Sequence, residues 1–175
     1  MTNYLIVPGL NNSGPEHWQT HFEKSGNNFY RIIQQEWEAP SRIEWIETVD
    51  REVSVYDPST VVLIGHSLGC ATIASWATEY RKKIKGAMLV APSDIETPHY
   101  NFPITGFDPM PKNKINFKTI VVASSNDEWV TLERAKYFAE KWGSEFINIG
   151  NAGHINAASG YGEWKEGLAI LKTLG

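Results

Sequence analysis

Six short apolar runs, most of them unbroken, recur along the chain and constrain its fold more than any other feature. They are YLIVPG from Tyr4, FYRIIQQ from Phe29, TVVLIGH from Thr60, GAMLVAP from Gly86, TIVVASS from Thr119 and EFINIG from Glu145. A strand with one wet face alternates apolar and polar residues. An unbroken run suits a strand covered on both faces, as in a parallel sheet. Stretches of helical length separate the runs, at 15–24, 41–56, 68–83, 131–142 and 161–174. Pro15 and Ser41 suit helix starts. Strand and helix in repeated alternation predict an α/β fold.

One connection breaks the rhythm. From 93 to 118 there is no clear period, and Pro98, Pro103, Pro109 and Pro111 interrupt it. It reads as a long surface loop, and its length points to a functional role. With 175 residues and no linker or repeat, one domain spanning 1–175 is expected. The net charge of -4 argues against a nucleic-acid track or an anionic membrane surface as partner. The densest basic run, Arg81 to Lys85, reads as the last turn of a helix, where cations suit the dipole. Cys70 is the only cysteine, so there is no internal disulfide and no cysteine zinc site. The amino-terminal stretch lacks a basic leader region, and no run is long enough to span a bilayer. These features predict a cytoplasmic protein.

The third run ends in Gly65-His66-Ser67-Leu68-Gly69. A serine hydroxyl attacks poorly unless a base takes its proton and donors hold the oxyanion. The Gly-x-Ser-x-Gly spacing between a buried strand and a helix supplies a tight, strained turn that lifts the hydroxyl above the sheet. The glycines let strand and helix pass closely, and the next amide, that of Leu68, points to the same place from a helix start.

The partners should follow as an acid and then a histidine, each at the end of a later strand. TIVVASS runs into Asn126-Asp127, and EFINIG runs into NAGHINAASG, which holds His154. Taken alone, Asp127 could be a helix cap and His154 a solvated loop residue. Asp94, one strand earlier, is the competing acid, or a turn residue opening the Pro-rich loop. The second oxyanion donor is expected in PGLNNSGPEHW after the first strand, at the Leu10 amide, beside Gly9. Trp18 and Trp129 are the candidate pocket walls, against the commoner role of Trp in core packing. His17 and His21, four apart on a helix, mimic zinc spacing, but Trp18 stands where a zinc peptidase carries Glu, so no metal is expected. His66 reads as structural or as a pocket wall, and Cys70 as a small core residue.

VPGLNNSGPEHW, GHSLGC, VASSND and NAGHINAASGYGEW together resemble the small serine hydrolases related to bacterial YdeN and human retinoblastoma-binding protein nine, over nearly the whole chain. The most specific part is His154-Ile155-Asn156 leading to Gly160-x-Gly162-Glu163-Trp164. The resemblance implies an α/β-hydrolase fold without a cap, with a Ser-Asp-His triad on Ser67, Asp127 and His154. The chain departs from the pattern after the acid, where Glu128-Trp129 replaces the frequent Pro. The Leu-x-Cys-x-Glu motif of the human relative is also absent, since the chain reads Leu68-Gly69-Cys70-Ala71-Thr72. The expectation is therefore a six-stranded, mainly parallel sheet, order 2-1-3-4-5-6, with helices on both faces. The expected chemistry is hydrolysis of a small ester, thioester or amide through an acyl-enzyme on Ser67, with a small-molecule acyl substrate and no cofactor. The alternative is a non-catalytic binding module on a hydrolase scaffold.

Overall fold

The computed structural model describes residues 1–175. The six strands are β1 (Asn3–Val7), β2 (Phe29–Arg31), β3 (Val61–His66), β4 (Gly86–Val90), β5 (Lys118–Ala123) and β6 (Glu145–Asn148). They form one sheet in the order β2-β1-β3-β4-β5-β6, and every pairing is parallel. All residues of β3 and β4 are buried, as unbroken apolar runs in the middle of a covered sheet must be. The edge strands are shorter and wetter. Of FYRIIQQ only Phe29–Arg31 pairs, and β6 is half-buried or exposed throughout.

Side-chain alternation along the strands builds two cores. Leu5, Val7, Leu63, Leu89 and Val121 face one side, under α2 (Arg42–Val53), α3 (Leu68–Tyr80) and α4 (Leu132–Trp142). Tyr4, Ile6, Val62, Ile64, Met88 and Val122 face the other, under α1 (Trp18–Glu23) and α5 (Lys165–Lys172). Helices therefore cover both faces, and α3, the most buried, runs from the end of β3 across the centre of the sheet.

Two expectations need correction. Arg81 to Lys85 is not a helical turn. The helix ends at Tyr80, and Arg81 takes a left-handed conformation with φ 52°, which directs the chain into β4. The 93–118 segment contains no helix, as its prolines require, but it is not merely a surface loop. Phe107, Met110, Ile115 and Phe117 are buried in the α2–α4 core. Trp142 Nε1 donates to the Pro111 carbonyl at 2.7 Å, and the Ile115 amide donates to the Trp142 carbonyl at 3.0 Å.

Candidate active site

The carboxyl ends of β1, β3, β4, β5 and the loop after β6 converge on one cavity of about 200 Å³. Ser67 lies there on a turn with φ 54° and ψ −122°, a conformation that costs a non-glycine residue of order 1–3 kcal/mol. Its backbone is locked from both sides: Ser67 N–H donates to Val90 O at 3.1 Å and Cys70 N–H donates to Ser67 O at 3.0 Å. Gly69 makes the turn sterically possible. A Cβ there would fall 2.1 Å from the Val7 carbonyl oxygen. Cys70 is buried, its Sγ donates to Val90 O at 3.3 Å, and burial pushes the thiol pKa up, so it packs as a small core residue.

Gly9 carries the loop after β1 against this turn. A Cβ on Gly9 would lie 3.0 Å from the Ser67 Cβ and 3.2 Å from the Leu68 amide nitrogen. The Leu10 N–H finds no acceptor in the protein, and Leu68, at the first position of α3, has no helical acceptor for its N–H. Arg31 holds this loop. The guanidinium reaches Asn12 Oδ1 at 2.8 Å, the Ser13 carbonyl at 2.7 Å, Thr20 Oγ1 at 2.7 Å and Glu23 Oε2 at 2.8 Å. Sequence reasoning missed Arg31, because nothing local marks an edge-strand arginine as the anchor of a loop twenty residues earlier.

Asp127 and His154 meet across two strands. The His154 Nδ1–H donates to both carboxylate oxygens at 2.9 Å, and the Asp127 side chain is fully buried. Asp127 Oδ1 also accepts the Trp129 N–H at 2.8 Å, while Thr131 caps α4. With Nδ1 protonated, His154 presents a bare Nε2. The competing acid is engaged elsewhere. Asp94 is clasped by Arg134, Oδ2 to Nε at 2.7 Å and Oδ1 to Nη2 at 3.0 Å. Glu96 joins this clasp through Arg134 at 2.6 Å and Lys112 at 2.7 Å, fixing the start of the Pro-rich segment to α4.

Ser67 Oγ makes its hydrogen bond with Ser93 Oγ, at 2.8 Å, and not with His154. Ser93 is fully buried at the end of β4. The only sequence signal for it was position: it precedes the Asp94 that was weighed as an acid. Tyr100 and Phe102 from the Pro-rich segment form an aromatic wall with Trp129, with ring centroids of Phe102 and Trp129 at 5.2 Å. Without periodicity, neither could be singled out in advance.

Trp129 and Leu10 thus line the cavity, but Trp18 does not. Trp18 is wholly buried, packed edge-on against Phe22 and Trp164, with its Nε1–H donated to the Ile155 carbonyl at 2.8 Å. It supports the histidine loop from beneath, which is the core role of a large amphipathic ring. His17 takes the place expected for Trp18. Its Nδ1 caps α1 by accepting the Gln19 N–H, and its ring lines the cavity, whereas His21 sits in a separate surface groove beside Trp164. His66 is both structural and a wall: Nε2–H donates to the His154 carbonyl at 2.9 Å, tying β3 to the histidine loop.

No curated protein sequence matches the chain. Among solved structures, a YdeN-like hydrolase from Pectobacterium atrosepticum is 35% identical, with a TM-score of 0.88 over 99% of this chain and 90% of that one. The ydeN product of B. subtilis is 16% identical, with a TM-score of 0.80 over 99% and 98% of the two chains. Est1E from Butyrivibrio proteoclasticus, solved with ferulic acid bound, is 14% identical, with a TM-score of 0.69 over 99% and 86%. The last two likenesses speak for the α/β-hydrolase fold alone. A serine hydrolase family model matches residues 4–173, which takes in all of the sheet but Asn3 and every loop that meets at the cavity, and the chain therefore belongs to the serine hydrolase family.

Proposed function

We propose that the protein hydrolyses small carboxylic esters through an acyl-enzyme on Ser67; thioesters and amides would follow the same chemistry. The observation that carries this reading is the Asp127–His154 pair: the carboxylate fixes the proton on Nδ1 and leaves Nε2 bare, on a ring that lines the same cavity as a serine on a strained turn. In the reaction Ser67 Oγ attacks the carbonyl carbon and its proton passes to His154 Nε2. The carbonyl oxygen takes up the negative charge and accepts from the Leu10 and Leu68 N–H groups. Collapse expels the alcohol, which leaves with the His154 proton. Water then attacks the acyl-enzyme, again losing its proton to His154, which returns it to Ser67. Asp127 stabilises the imidazolium that forms twice in the cycle. Ser67 Oγ and Ser93 Oγ share the resting hydrogen bond, which either hydroxyl can donate, and for attack the Ser67 proton must turn to His154 Nε2.

A fluorophosphonate probe tests the reading. Mass spectrometry should find a covalent adduct on Ser67, absent in Ser67→Ala, and ester turnover in that variant should fall by up to about a million-fold. No adduct between about pH 6 and about pH 9 would favour the alternative, a binding module on a hydrolase scaffold. The single, unpaired thiol of Cys70 suits a reducing compartment, and a cytoplasmic location is part of this proposal.

A further inference from the structure

The cavity at Ser67 holds two ring nitrogens that no protein group engages. His17 is 6% exposed and His66 5% exposed. His17 Nδ1 accepts the Gln19 N–H at 3.1 Å, so its hydrogen sits on Nε2. His66 Nε2 meets the His154 carbonyl at 2.9 Å, and a carbonyl only accepts, so the His66 hydrogen sits on Nε2 and Nδ1 is a bare acceptor. Burial, and then the charges of neighbouring basic groups, keep both rings neutral: His17 is lowered to about 3, and His66 well below the ordinary histidine value. The buried side-chain atoms left without a partner are Gln34 Oε1 and Ser75 Oγ, and neither free histidine nitrogen is among them. Both rings line the cavity, so that is where these nitrogens meet solvent. The two rings are 4.7 Å apart, and the His66 ring is 4.8 Å from that of His154.

We propose that His17 Nε2–H and His66 Nδ1 act as a donor–acceptor pair selecting acyl groups that carry a neutral hydroxyl or carboxamide near the reacting carbonyl. This rests on the hydrolase reading above. A hydroxyl accepts from His17 and donates to His66; a carboxamide does the same with its oxygen and its N–H. A methylene in that place displaces water and leaves both nitrogens unpaired. A carboxylate has no hydrogen to give and faces the His66 lone pair, with no cationic ring to attract it. The cavity, about 200 Å³, admits only a short acyl group, which keeps its polar substituent close to the pair.

The test compares kcat/KM for methyl β-hydroxybutyrate, methyl β-methoxybutyrate, methyl butyrate and monomethyl succinate. The methoxy ester keeps the inductive pull and the acceptor oxygen but loses the donor. The hydroxy ester should exceed the methoxy and plain esters by about tenfold or more, and the succinate ester should be poorest. His17→Asn keeps a good helix cap and deletes the Nε2–H. In that variant the hydroxy preference should shrink toward one. Each preference is a ratio within one enzyme preparation, so partial unfolding of the variant does not distort it. A wild-type ratio of about two or less, a preference for the succinate ester, or a ratio unmoved by His17→Asn overturns the proposal and leaves the hydrolase reading intact. Failure to turn over any of these esters, together with no labelling of Ser67, overturns the hydrolase reading itself and this proposal with it.

Discussion

Two carboxylates stand near the catalytic end of the sheet, and their partners separate their roles. Asp127 has both oxygens on the His154 Nδ1–H, whereas Asp94 has both on Arg134. Asp127→Asn should keep the packing but present a carboxamide that no longer holds the imidazole proton on Nδ1. Ester kcat should then fall by about 10⁴-fold. Asp94→Asn should lose far less, since it only weakens a clasp at the rim. Measuring kcat/KM for both variants decides the matter, and a larger loss in Asp94→Asn would move the acid one strand earlier. Single residues were legible as candidates where chemistry restricts residue type and position together. Serine, acid and histidine each had to end a strand, so Ser67, Asp127 and His154 could be nominated in advance. Trp18 could not be placed, because a Trp on a short helix next to a site serves equally well as wall or core. Ser93 carried no signal of its own, and His17 stood out only for its zinc-like spacing with His21, because the importance of both lies in which atom faces the cavity, and side-chain direction is not written in spacing.

At the level of elements, the contact of α3 with the end of β1 matters most. Gly69 lies so close to the chain beneath that an added Cβ would sit 2.1 Å from the Val7 oxygen and 2.9 Å from the Pro8 oxygen, both backbone atoms that cannot swing aside. Gly69→Ala must therefore push α3 away from β1, and Ser67 rides on the first turn of α3. The expected cost is about 3 kcal/mol or more, with loss of activity in the fraction that stays folded. Urea unfolding checks this, and a variant with unchanged midpoint and kcat would show that the two elements have slack. The parallel sheet was readable because unbroken apolar runs leave few places for a strand other than the middle of a covered parallel sheet, whereas the strand order was implied by the family resemblance. Element ends were less readable. The helix after Ser67 stops at Tyr80 through a left-handed Arg81, a backbone choice that basic composition does not announce. In the Pro-rich segment, Phe107 and Met110 reach the core from a stretch without period, so burial there had no pattern to betray it.

For the molecule as a whole, the neutral histidines at the site link activity to stability. His17 falls from an ordinary value of 6.5 to about 3 in the fold, and His66 is lowered as well. Between those values the unfolded chain binds protons that the native chain refuses. Stability is thus complete above about pH 6.5 and is lost as pH falls toward 3. For His17 alone the loss at about pH 5 comes to about 2 kcal/mol. Glu96, lowered by Lys112 and Arg134 against the opposing effect of its burial, starts from 4.5, so its stabilisation is intact above that value and is lost only below it. The urea midpoint should therefore fall between about pH 7 and about pH 5, and less so in His17→Asn; a flat midpoint would mean that the two rings take up protons in the fold as readily as in the unfolded chain.

The same economy of size sets the length of acyl chain the molecule can bury. A larger cap would have to come from the 93–118 segment, which has no helix, and whose Phe107, Met110, Ile115 and Phe117 are committed to the core below the site. Only Tyr100 and Phe102 from that segment reach the cavity wall. Each methylene transferred from water to an apolar surround gains about 0.8 kcal/mol, but only where side chains surround it. In a cavity of about 200 Å³ that gain must end after a few carbons, and further methylenes extend into water. Among p-nitrophenyl esters, acetate to butyrate should therefore show higher kcat/KM than palmitate, with no jump in rate at an oil–water interface. A kcat/KM that climbs steadily past about eight carbons, gaining several-fold per methylene, would require a buried acyl channel and would refute the cap-less reading of the site.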